Sequence, residues 1–445
     1  MDLGLFIGQF LTGLASASSL FLVAAGLSII FGVTRIVNFA HGSFFMLGAY
    51  LAYTFVEMLP HGILGFWGSV IVAAVLVGLV GVFIEMLLLR RIYHAPELFQ
   101  LVATFGVVLI IQDVAQYIWG PEDLFGPRAP GLDSFVKIAG QRVPEYDLAL
   151  IVIGPSVLLI TWLLFHRTRW GVLVRAATQD REMTGALGIN QDWLFTSVFF
   201  VGSFLAGLGG ALQMPREGAN LLMDLTVISD AFVVVVIGGM GSVVGAFLAA
   251  VIIGELNAFG ILVFPKITIV LAFLVMAIVL VIRPWGLLGK PEKAHAGGSM
   301  VEAPMRLLDR MSVTWIVALL VVLALLPGLS SFGLVNEFTL VLLTDIFIFS
   351  LFAVALHFIM GPGGMVSFGH AAYFGLGAYG AAMTLKFLGT GMELALVAAP
   401  VAAGLGALIF GWFFVRLSGV YLAMLTLAAA QIVWSVVFQW GEVTG

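Results

Sequence analysis

The chain has no cysteine among its 445 residues, which excludes disulfides, thiolate metal sites and cysteine nucleophiles. Charge is scarce as well. Asp, Glu, Lys and Arg supply 10% of residues, against about 25% in an ordinary soluble domain. With 62% hydrophobic residues there is too little polar surface to face water, so the chain reads as a polytopic membrane protein. The net charge of −5 is spread along the chain and offers no basic face for nucleic acid. No Lys or Arg precedes Arg35. The cleavage-like Ala15-Ser16-Ala17 therefore lacks the charged region of a secretory signal, and the first apolar stretch reads as a transmembrane helix. No G-x-x-x-x-G-K-[ST] occurs, and Gly286 to Pro291 fails that pattern, so the chain does not bind ATP through such a loop. No His and carboxylate cluster has metal-ligand spacing, and no catalytic residue is expected.

What is present is a series of apolar runs of spanning length, about 20 residues each. Helices are predicted at 4–31, 38–58, 63–88, 97–118, 148–165, 192–213, 242–262 and 265–282, then 313–329, 338–360, 367–388, 392–415 and 420–439. The fold class is an all-α polytopic bundle of two parallel related halves, the first with about eight helices. Lys and Arg near helix ends set the orientation. Arg35, Arg90, Arg91, Arg167, Arg169, Arg175, Arg181, Arg283, Lys290 and Lys293 fall on one side if the N-terminus is outside; the mixed charges of the external loop 119–147 carry little weight, and Lys386 runs against the scheme. That side is then cytoplasmic. The scheme requires 226–262 to begin and end outside. The piece 226–240 therefore dips inward, Gly238, Gly239 and Gly241 form the hinge, and 242–262 returns. Irregular backbone at depth must be covered by protein or water, so this broken or re-entrant segment near 226–245 should be central. In Gly241-x3-Gly245-x3-Ala249 the small residues suit close helix packing.

A repeat divides the chain. NFAHGSFFMLGAY (38–50) and SFGHAAYFGLGAY (367–379) align without a gap and share seven of thirteen residues, among them His41/His370 and Tyr50/Tyr379. With small register shifts Thr104 corresponds to Thr426 and Trp119-Gly120 to Trp440-Gly441, and Arg416 answers Arg90-Arg91. Three parts follow: 1–283, a cytoplasmic linker 284–312 rich in Gly, Pro and charge, and 313–445. Helix 313–329 has no earlier counterpart and makes the halves parallel. The second half stops in a loop equivalent to the first external one, so it reads as a fragment.

Asn38 and Ser367 suit N-caps at the two repeated helix starts. Buried His41 and His370 then either bond to nearby backbone or line a path, with Ser43 beside the first. Of the acidic residues near spans, Glu85, Asp113, Glu255 and Asp345, the last two lie deeper and stay open as central carboxylates of a proton-coupled carrier, with structural pairing to Asn257 or Thr344 the preferred role. The longest polar segment on the cytoplasmic side, 166–193, has helix formers through Arg175–Ala186 and a Gly188 stop. It mixes Asp180, Arg181 and Glu182 with apolar Met183, Leu187 and Ile189, a pattern suited to docking in a protein groove.

Four stretches, GLSIIFGVTRIVNFAHGSFFMLGAY (26–50), RAATQDREMTGALGIN (175–190), VVVVIGGMGSVVGA (233–246) and IRPWGLLG (282–289), resemble the first permease subunit of branched-chain amino acid ABC importers. GPGGMVSFGHAAYFGLGAY (361–379) resembles the second. The chain thus resembles a fusion of the two permeases, the second truncated. The resemblance implies a multi-pass protein of a bacterial plasma (inner) membrane that is not itself an enzyme. It implies two cytosolic ATPase subunits that carry ATP and Mg, and a periplasmic or lipid-anchored amino-acid-binding protein. A further permease copy or the missing C-terminal part would complete the assembly. Arg175, Asp180, Arg181, Glu182, Gly185, Gly188, Ile189 and Asn190 would couple to an ATPase. Asn38, His41, Ser43, Gly238, Gly239, Gly241, Ser367 and His370 would lie along the substrate pathway of an alternating-access mechanism. The rival readings are a urea or short-amide importer, an ion-coupled carrier built from parallel repeats, and a passive channel.

Overall fold

The computed structural model describes residues 3–60, 62–93, 95, 97–263, 265, 268–289, 310–331, 336–389, 391–414 and 419–444. Most of the expected linker 284–312 lies outside these residues, as do Arg416 and the side chains of Arg181 and Glu182. The elements in chain order are α1 (Leu3–Thr34), α2 (Ala40–Met58), α3 (Ile63–Ile84), which runs through one π-helical turn (Glu85–Leu89) into α4 (Arg90–Ile92), and α5 (Glu97–Trp119). A hairpin follows, β1 (Phe135–Ile138) and β2 (Gln141–Pro144), then α6 (Glu145–Arg167), α7 (Arg169–Gln179), α8 (Arg181–Ala186), α9 (Gln191–Glu217), α10 (Met223–Gly238), α11 (Val243–Val263) and α12 (Thr268–Ile282). Beyond them lie α13 (Arg310–Ser331), α14 (Glu337–Met360), α15 (His370–Leu388), α16 (Met392–Phe414), α17 (Gly419–Gln439) and the short α18 (Gly441–Thr444).

Among the described residues nine helices are long and apolar enough to cross a membrane, so this is a multi-pass membrane protein. The expected spans are helices, and the expected break of the re-entrant segment falls at 239–242, between α10 and α11. Neither α2 nor α15, the two repeated helices, is among the nine. The polar heads of both lower their hydropathy, and α2 compensates by burial: its residues from Ala40 to Tyr50 are all buried.

Helix α1 is the central post. At 32 residues it is about 48 Å long, against a bilayer core of roughly 30 Å. Its first turn lies against the hairpin, where a Cβ on Gly4 would collide with Ala139 O. The hairpin is antiparallel, pairing Phe135 with Pro144 and Ile138 with Gln141. Its two-residue turn has positive φ at Ala139 (50°) and Gly140 (85°), the mirror-image geometry that matches strand twist. Sequence reading missed it, because four-residue strands with charged and polar positions carry no alternation.

Without a hydrophobic force between helices in lipid, packing depends on close approach of small residues. Gly48 of α2 lies against Gly207 of α9, and Gly26 of α1 against Gly202 of α9. Gly210 is the tightest of these positions: a Cβ there would sit 1.8 Å from Phe45 O. In the C-terminal part α15 packs on α16 and α17, as α2 packs on α3 and α5. Helix α17 joins the two parts by packing against α12 and α10.

Gly210→Val should lower the detergent melting temperature, with a cost of about 1–3 kcal/mol or more from overpacking. Gly106→Ala, which would meet nothing within 4 Å, should leave it unchanged or raise it. Thermal unfolding followed by size-exclusion recovery checks both.

Candidate transport path and coupling surface

The first repeated helix begins inside the bundle. The chain leaves α1 at Thr34 and turns through Arg35, which holds φ 62°. Its counterpart 329 residues later is Gly364, with φ 61°. The left-handed conformation costs a residue with a Cβ about 1–2 kcal/mol, so Arg35 is the strained copy and Gly364 the relaxed one. The chain then climbs back along α1. His41 Nε2–H donates to Val23 O (3.0 Å), eleven residues before Thr34 or roughly 16 Å along the helix.

Asn38 is not the N-cap. The cap position is Phe39, without a side-chain bond, and Asn38 Oδ1 instead accepts from Ala40 N (3.1 Å) in a turn just before the helix. Ser367 does not cap α15 either: its Oγ is buried without a hydrogen-bond partner, and the cap position is Gly369. Thr426 takes over, its Oγ1 accepting from Phe368 N (2.9 Å). The reason is reach, since the helices start one and two residues later than caps at Asn38 and Ser367 require. The two histidines also differ. His41 is fully buried, whereas half-buried His370 packs its ring on Phe352 (5.4 Å) and Tyr373 (6.0 Å).

Ser43 leads to a residue that sequence reading missed. Its Oγ donates to Asp224 Oδ2 (3.1 Å), while Asp224 Oδ1 accepts from Gln112 Nε2 (3.0 Å) and Leu225 N (2.7 Å). Buried Asp224 thus ties α2, α5 and the first turn of α10 together. An acidic residue heading an apolar helix was the available signal, since helix N-termini favour negative charge.

The C-terminal end of α10 is closed by another segment. Leu287 N donates to Ile237 O (2.8 Å) and Leu288 N to Gly238 O (3.0 Å), satisfying carbonyls that a helix end leaves open. The stretches 233–246 and 282–289 are therefore one structural unit. Gly239 needs its glycine twice: φ is 100°, and a Cβ would meet Gly289 N at 2.2 Å. Gly241 (φ 84°) lies against Gly32 of α1, and Gly245 against Gly238, so the small residues serve close packing.

Glu85 and Asp345 differ in surroundings. Glu85, fully buried in the π-helical turn, accepts from Arg90, Tyr93 and Thr196. This ties α3 and α4 to the start of α9. Asp345 does not pair with Thr344, whose hydroxyl donates to Leu340 O. Glu255 does not pair with Asn257: its carboxylate lies at Gly13 of α1, with both oxygens buried and unpartnered.

The segment 169–190 is two helices rather than one. Asp180 breaks them and caps the second, accepting from Met183 N (2.9 Å). Asn190 caps α9 from Trp193 N (3.1 Å), and Gly188 turns the chain at φ 80°. Trp170 Nε1 donates to Ser197 Oγ (2.7 Å), fixing α7 to α9. Arg175, Asp180, Gly185, Gly188 and Asn190 are exposed and Ile189 is half-buried. Beside them Met183, Leu187 and Trp193 project large apolar side chains outward.

The described structure therefore distributes the named residues over four places, the first three being Asn38, His41 and Ser43 at the buried start of α2; Gly238, Gly239 and Gly241 at the hinge; and the 175–190 surface. Ser367 and His370 sit at the start of α15. Comparison with known proteins completes the picture. Residues 9–282 and 338–445 match the family described as branched-chain amino acid transport system / permease component. The chain belongs to this family. A high-affinity branched-chain amino acid transport system permease protein, BraD of Pseudomonas aeruginosa, is 29% identical over 301 residues, 64% of this chain and 97% of that protein. The LivH permease of Escherichia coli K12 is 27% identical over 305 residues, 64% of this chain and 96% of its own length. The LivM permease of the same strain is 25% identical over 255 residues, 52% of this chain and 59% of that protein. No solved structure matches.

Arg90→Ala removes the cation beside buried Glu85, which keeps its bonds from Tyr93 and Thr196, and should cost about 1–3 kcal/mol. The double variant Glu85→Leu with Arg90→Ala should recover much of that loss. Melting temperatures of the two variants and the parent check the order.

Proposed function

We propose that the chain is the membrane-spanning permease of an ABC importer for branched-chain, hydrophobic amino acids, working by alternating access. Its parts are a first permease domain 1–283, a cytoplasmic linker 284–312 and the N-terminal part of a second permease domain 313–445. It sits in a bacterial inner membrane with its N-terminus outside. Two cytosolic ATPases, with ATP and Mg, drive it, and a periplasmic or lipid-anchored binding protein delivers the substrate. A further permease copy is among its partners. ATP hydrolysis belongs to the partners, so the chain is not an enzyme.

The observation that carries this reading is the α7–α8 surface. Met183 on α8, Leu187 in the turn after it and Trp193 in the first turn of α9 expose large apolar side chains, and α7 is fixed to α9 by the Trp170–Ser197 bond. An amphipathic helical element presented in this way fits a groove on a protein partner. A passive channel or an ion-coupled carrier has no use for it. In α9 the same rigid element passes Gly202 and Gly207, which touch α1 and α2, so a push at 183–193 reaches the buried start of α2. The relatives' names supply the substrate class. A urea or short-amide importer is the second reading, because the buried polar start at Ser43 and Asp224 would suit an amide as well as an amino acid.

The test is a pull-down of the full chain with its cytosolic ATPases. Met183→Asp with Leu187→Asp should weaken binding at least about tenfold, equivalent to roughly 1.4 kcal/mol. Gly188→Val, strained at φ 80°, should weaken it too. Uptake without any ATPase binding would contradict the reading.

A further inference from the structure

We propose that Phe39 and Phe368 form an aromatic gate across the substrate path; this rests on the reading that the two permease domains enclose such a path between them. The two residues hold the same place in the repeat, each following the polar residue of NFAHG and SFGHA. Their rings meet edge to face, with centroids 5.5 Å apart and planes at 80°. In a twofold arrangement the residue that touches its own counterpart is the one on the axis. Phe39 and Phe368 therefore mark the pseudo-twofold axis of this chain.

The neighbouring cavity agrees. It is lined by Val37 and Val366, again equivalent positions, and by Leu101 and Ala423. Leu101 and Ala423 each precede a repeated threonine by three residues, and both threonines donate back to them: Thr104 to Leu101 O (2.9 Å) and Thr426 to Ala423 O (2.7 Å). Matched pairs of residues thus surround one line through the molecule. Arg35 and Gln100 add a polar lip to this cavity. A second cavity shares Val37 and is lined wholly by apolar side chains, including Phe31, Phe232, Met240 and Met424.

Two rings in van der Waals contact can part by rotamer change without breaking a hydrogen bond. Phe39 also leans edge-on against Phe232 of α10 (5.1 Å, 61°). Helix α10 is bounded by the Asp224 tie at one end and the Gly239 hinge at the other. A tilt of α10 would draw Phe232, and with it Phe39, away from Phe368. The gate is thereby joined to the element best placed to move.

The absence of native cysteine makes the test clean. Phe39→Cys with Phe368→Cys is introduced into the full chain and reconstituted with its ATPases and binding protein in proteoliposomes. The two thiols are bridged with a short bis-methanethiosulfonate reagent. Bridging should lower ATP-driven uptake of radiolabelled leucine at least tenfold, and reductant should restore it. A bridged chain that transports at the unbridged rate, or thiols that cannot be bridged, would overturn the gate. If the double cysteine variant does not assemble, Phe39→Leu with Phe368→Leu replaces it. That variant should leak leucine without ATP severalfold faster than the parent, and an unchanged leak overturns the proposal. If the parent moves no leucine at all, the substrate reading falls rather than the gate. Labelling of Phe39→Cys by a water-soluble maleimide then decides: the gate requires protection without nucleotide and reaction with ATP, and equal labelling in both states overturns it.

Discussion

Everything distinctive in this structure follows from one constraint. Backbone that is not helical cannot face lipid, because its N–H and C=O groups would have no partners there. The chain nevertheless starts α2 and ends α10 in the interior. It can do so only by surrounding both with protein. The carbonyls at the end of α10 are taken by Leu287 and Leu288, and the start of α2 is enclosed by α1, α9 and α10. The close glycine contacts at Gly26, Gly32, Gly48 and Gly238 are the means by which these helices come near enough to provide that cover. The polar residues NFAHGS are tolerated for the same reason: their partners are Val23 O, Ala40 N and Asp224, not lipid.

The repeat is conserved in backbone more than in side-chain detail. Arg35 and Gly364 share a positive φ although only glycine adopts it freely, and Thr104 and Thr426 make the same bond three residues back. The surroundings differ. His41 is sealed against α1, whereas the ring of His370 rests on aromatic side chains of α14 and α15. Equal backbones with unequal linings give two repeats that can enclose one asymmetric path, which is what a directional importer needs.

How much was legible in the sequence depended on the range of the interaction. Spans, the glycine break near 239 and the repeat are local patterns, and the structure places helices and break accordingly. The hinge could be found because Gly238, Gly239 and Gly241 are neighbours. The Asp224 tie could not, because Ser43 and Gln112 lie 181 and 112 residues away from it. Thr426 capping Phe368 N, 58 residues away, was hidden for the same reason, and Ser367 looked like the cap only because it was adjacent. Within 166–193 the helical character was readable. The break at Asp180 was not, since an aspartate inside a run of helix formers gives no sign that it caps a second helix until the chain direction is known.

The exposed apolar side chains Met183, Leu187 and Trp193 stand beside or on α9, which packs against α1 and α2, and α2 in turn packs against the hinged α10. The central claim is that transport through this chain is powered by ATP on partner subunits and selects branched aliphatic amino acids. The most direct measurement is uptake of radiolabelled leucine into proteoliposomes holding the complete assembly, with ATP inside the lumen that corresponds to the cytoplasm and no ion gradient. The account predicts uptake that stops with a non-hydrolysable ATP analogue, is displaced by valine and isoleucine, and is untouched by urea. Uptake that persists without hydrolysis, or that urea displaces while valine does not, would contradict it.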